Sequence, residues 1–117
     1  MAAYNELLIW QKSMDVCREV YQLTNTFPHH ERFGLTSQMR RASISIPSNI
    51  AEGSRRGSQK DFRKFLYIAY GSGAELETQL ILAKDFGYLS KNTKQRIEEL
   101  LSETMRMLNS FINNITL

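Results

Sequence analysis

The sequence predicts an all-α protein, an antiparallel up-down-up-down four-helix bundle. Three observations carry that expectation. Apolar residues recur at steps of three and four along four segments. No segment sustains the period-two alternation of a half-buried strand. Only two prolines and six glycines interrupt the 117 residues, which favours long elements. Short connections then place successive helices antiparallel, about 20° off axis. A chain of this length forms one domain, residues 1–117, around one core.

The first helix is expected over residues 5–26. Trp10, Met14, Cys17, Val20 or Tyr21, and Thr24 share one face, and Gln11, Lys12, Asp15, Arg18, Glu19 and Gln22 cover the other. Phe27-Pro28 stops it, because proline pushes the preceding residue out of helical geometry.

The second helix is expected over 35–54, with Leu35, Met39, Ala42, Ile46, Ile50 and Gly53 as its stripe and Thr36 or Ser37 as its cap. Ile44 lies off that stripe. Pro47 falls inside, at a cost of about 3 kcal/mol. The apolar spacing continues in phase across it. One helix kinked at Pro47 is therefore preferred to two short ones, with Ser43 and Ser45 helping to satisfy the freed backbone group.

Ser58 reads as the N-cap of the third helix, with Asp61 three residues on. That helix covers 59–86. Phe62, Leu66, Ala69, Gly73, Leu76, Leu80 and Ala83 form its stripe. Phe65, Ile68, Ser72, Leu82 and Phe86 widen it, which predicts burial on more than one side. Gly87 suits the position just past its end. Ser90 caps the fourth helix, 91–114, whose stripe is Ile97, Leu101, Met105 with Thr104, Leu108, Phe111 or Ile112, and Ile115.

Charge is unevenly placed. Residues 32–64 carry a net +6, while the rest of the chain sums to −3. An excess held in one segment can form a patch for a polyanion. The candidate nucleic-acid-binding set is Arg40, Arg41, Arg55, Arg56, Lys60, Arg63 and Lys64, the last five close to the N-terminus of the third helix. The competing reading is a solvated face with subunit salt bridges. No aromatic-rich platform accompanies the basic run in sequence, so backbone binding with little sequence preference is expected. Arg40 and Arg41 sit in an apolar helix, as do Glu75 and Glu77. A structural ion pair among these four is a second expectation, within a subunit or between subunits.

Reaction chemistry is not evident. Ser43, Ser45 and Ser48 have no base nearby in sequence, and Glu75 and Glu77 diverge by about 200° around a helix. The Glu-x-x-His pair of di-iron bundles is absent. Gly71-Ser72-Gly73-Ala74 lies inside a helix, where close helix approach explains it better than a phosphate loop does. His29 and His30 lack further ligands, so neither metal nor cofactor is expected. Trp10, Phe62, Phe65 and Tyr70 are read as core or interface. Cys17, the one cysteine, excludes an internal disulfide and suits a cytoplasmic protein. No signal-peptide pattern opens the chain, and no apolar run approaches about 18 residues, so no membrane association is expected.

The segment FGLTSQMRRASISIPSNIAEGSRR, with LLIWQKSMDVCREVYQLTNTFP before it and KDFRKFLYIAYGSGAELETQLILAKDFGYL after it, resembles a known family. These are the four-helix-bundle proteins encoded within intervening sequences of bacterial 23S ribosomal RNA genes, also labelled S23 ribosomal proteins. The resemblance spans about residues 7–89, and SIPSNIAEG is its most specific run. It implies a ring-like homopentamer without catalytic activity. The accessory proteins of diversity-generating retroelements look like the same bundle, and that kinship implies RNA or DNA as a partner, or another protein.

Overall fold

A computed structural model describes residues 3–117. Its helices are α1 (Leu8–Thr24), α2 (Leu35–Ser54), α3 (Gln59–Asp85) and α4 (Lys91–Asn113). Short 3₁₀ turns occupy Tyr4–Glu6 and His29–Glu31, and no strand forms among the described residues. Each helix packs on its chain neighbours, and α4 closes the circuit onto α1. The start of α1, the end of α2, the start of α3 and the end of α4 line one cavity, so they share one end of the molecule. The helices therefore alternate in direction within a body of 44 × 24 × 20 Å.

Local chemistry sets most boundaries. The Asp61 N–H donates to Ser58 Oγ at 3.1 Å, and the Thr93 N–H to Ser90 Oγ at 3.1 Å. Gly87 has φ +80° and closes α3: its N–H reaches the Lys84 carbonyl, and that of Tyr88 reaches Ala83. Two expected ends differ. The first helix starts at Leu8, because Leu7 is extended and offers no capping side chain. At α2 neither Thr36 nor Ser37 caps. The Leu35 N–H donates instead to the Glu31 carboxylate at 3.1 Å, from the preceding turn.

The α3 and α4 stripes are buried as the spacing predicts, except that Ile115 lies past the end of α4 and is half-buried. In α1 the buried line is Ile9, Ser13, Val16, Val20, Leu23 and Thr24, which shares Val20 and Thr24 with the expected stripe and runs one residue ahead of it elsewhere. Trp10, Met14 and Cys17 are only half-buried. Both lines keep helical spacing, and the choice falls to the angle at which α1 meets its neighbours. Helix α2 runs unbroken through buried Pro47. Gly53 sits where α2 meets α3: a Cβ there would lie 2.6 Å from that of Phe65. At Gly73 a Cβ would run into Met105 of α4.

The expected second buried side of α3 forms only in part within the protomer, where Phe65 is half-buried against Gly53 of α2. Ser72 is buried, but Ile68 is 44% exposed, Leu82 40% and Phe86 56%. Tyr67 and Ile81 extend this outer face, where Gly71, Ala74 and Thr78 are neutral and Glu75 and Asp85 are the exposed charges.

Candidate nucleic-acid interface

The basic residues contiguous in sequence separate into two groups in space. Arg40 and Arg41 lie in the first half of α2, near Arg32. Arg55, Arg56, Lys60, Arg63 and Lys64 gather around the α2–α3 turn. Fifteen helical residues separate Arg40 from Arg55, about 22 Å along the axis.

At the turn, Arg56 pairs with Glu52 at 2.7 Å, both side chains about half exposed. Among the described residues no ion pair forms to Arg55, Lys60, Arg63 or Lys64. The Arg63 Nε is buried without an acceptor.

At the other end Arg40 is anchored by neutral groups. Its Nε donates to Thr24 Oγ1 at 2.9 Å and its Nη2 to Asn25 Oδ1 at 3.0 Å. Its guanidinium lies 4.6 Å from the centre of the Tyr21 ring. Arg40 and Arg41 form no ion pair with Glu75 or Glu77 within the protomer. Arg41 and Glu75 do line one groove of about 490 Å³ between α2 and α3. The same groove holds the Ser45–Ser72 hydroxyl contact of 2.8 Å and a buried, unpartnered Gln79 Oε1.

Single aromatic rings lie under four further arginines within the protomer. Arg32 lies over Phe33, Arg55 over Tyr4, Arg56 over Phe65 and Arg63 over Tyr67, at 4.8–5.7 Å from the ring centres. Tyr4 and Tyr21 are too distant in sequence to read as partners of Arg55 and Arg40. Arg56–Phe65 and Arg63–Tyr67, nine and four residues apart, were the legible signal.

A clasp holds the Arg40 end together. The Tyr88 hydroxyl donates to Glu31 Oε2 at 2.8 Å, and His30 Nε2 lies 3.2 Å from that hydroxyl. The Tyr88 bond, then the Leu35 N–H, hold Glu31 below the usual carboxylate range. Glu31 in turn holds Tyr88 above the usual phenol range. A larger concavity, about 730 Å³, lies at the opposite end between α1, α3 and α4. Leu8, Ile9, Phe62, Met107 and Phe111 line it, and Arg106 is its single charged residue. The described residues contain no group of His, Cys, Asp and Glu suited to a metal, and no helix long and apolar enough to cross a membrane.

A family model described as 23S rRNA-intervening sequence protein matches residues 5–110. A crystal structure from Bacteroides thetaiotaomicron, of a protein of unknown function from the S23 ribosomal protein family, superposes with a TM-score of 0.83 at 25% identity. The match covers 90% of this chain and 98% of that one. Among curated proteins, none matches the chain.

Proposed function

The chain belongs to the family of 23S rRNA-intervening sequence proteins, and we propose that it is a non-enzymatic, cytoplasmic scaffold that assembles as a ring-like homopentamer and binds RNA or DNA backbone. One observation carries the binding: Arg55, Lys60, Arg63 and Lys64 surround a single turn without carboxylate partners in the described structure. Arginine forks and lysine ammonium groups suit phosphate, and a ring would repeat the patch. Anisotropy of labelled RNA and of duplex DNA, at low and moderate salt, tests it. Salt-sensitive binding is expected, and no binding at low salt overturns it.

The outer face of α3 supports assembly, since Ile68, Leu82 and Phe86 are exposed apolar residues grouped on one face, with Glu75 the charge among them. Light scattering of the wild-type protein should give five subunits. Ile81→Asp with Leu82→Asp should yield helical monomers, and an unchanged particle size would refute this face as the contact. That face equally favours a second reading, a structural or protein-binding oligomer without nucleic acid. In that reading Arg41 meets Glu75 or Glu77 across a subunit boundary. Salt-dependent nucleic-acid binding separates the two.

A further inference from the structure

We propose that the groove between α1 and α2 takes an unpaired nucleotide of a single strand, its base stacked against Arg40 and Phe33 and its phosphate held by Arg32 and Arg41. This rests on the nucleic-acid reading but uses the end of α2 remote from the basic turn. The groove encloses about 480 Å³, within the roughly 300–1,000 Å³ of small-ligand sites. Three arginines, Tyr21 and Phe33 line it, and no carboxylate does. Glu31, adjacent to Arg32 in sequence, is engaged by Tyr88 and the Leu35 N–H.

Arg40 is the built part of the site. Thr24, itself buried, and Asn25 fix its guanidinium plane, and Tyr21 covers one face. None of the three carries a negative charge, so the cation stays uncompensated. Two of its five N–H donors are used, which leaves the others for an acceptor. A flat, oriented guanidinium is a stacking surface for a base. Phe33 lines the same groove and is 87% exposed, with Arg32 over its ring and the rest of the ring open to solvent. A duplex hides its base faces within the stack, so only an unpaired base can use both surfaces.

The test is anisotropy of a labelled single-stranded RNA and of a blunt duplex, with wild type, Phe33→Ser, Arg40→Gln and Lys60→Gln/Lys64→Gln. Phe33→Ser should weaken single-strand binding about tenfold and leave duplex binding unchanged. Lys60→Gln/Lys64→Gln should weaken both. Arg40→Gln loosens α1 from α2, and Phe33→Ser, on the surface, keeps the test decisive. Unchanged single-strand binding in both groove variants overturns the groove and leaves the basic turn standing. Absence of any binding by wild type overturns both. A changed particle size with Phe33→Ser makes Phe33 a subunit contact and overturns the proposal. Adenosine monophosphate bound as tightly as the strand overturns it in favour of a free-nucleotide site.

Discussion

The two ends of α2 carry the same charge in opposite settings. Around the turn, Lys60 and Lys64 are exposed, with no ion pair among the described residues, over a tightly packed helix junction. In the first half, Arg40 is pinned by Thr24, Asn25 and Tyr21 above a groove. A loose array gives a field that any phosphate backbone meets. A pinned guanidinium gives a shape, and shape discriminates where charge alone does not.

The largest expected effect tests whether the turn depends on that packing. Gly53→Ala pushes a methyl onto Phe65 and should cost about 2 kcal/mol. Arg41→Gln, at the exposed end, should stay within about 0.5 kcal/mol. Urea denaturation measures both, and equal costs would erase the contrast. Next comes binding. Lys60→Gln/Arg63→Gln/Lys64→Gln should lower the salt slope on duplex DNA by about 0.9 for each phosphate that the protein no longer neutralises. Titrations at several salt concentrations read it.

A third, smaller effect belongs to the Arg40 end alone. Glu31 titrates below its ordinary value of 4.5 in the folded state, so its contribution is complete above that pH. It is lost as pH falls through the folded value. Tyr88 titrates above 10.0 when folded, so its contribution holds below pH 10.0 and fades as pH rises toward the folded value. Melting temperature followed against pH should lose its acid limb's Glu31 component in Glu31→Gln. An identical acid limb in that variant would deny the clasp. The smallest effect is at the turn again. Arg56→Gln breaks an exposed i,i+4 pair with Glu52 and should cost about 0.3–0.5 kcal/mol by thermal melting.

Sequence alone determined the four helices, the caps at Ser58 and Ser90, the end at Gly87, and the buried stripes of α2, α3 and α4, since each follows from local propensity or the 3.6-residue period. Continuity through Pro47 was legible too, because the apolar phase did not slip. Only the tertiary structure decided which of two adjacent lines on α1 faces the core, that Glu31 caps α2, and that the outer side of α3 stays open in the protomer. It alone divided the basic set and laid Tyr21 under Arg40 from nineteen residues away. Periodicity fixes which residues share a face. It does not fix where that face points, or which distant side chains meet it, because helix packing sets those angles.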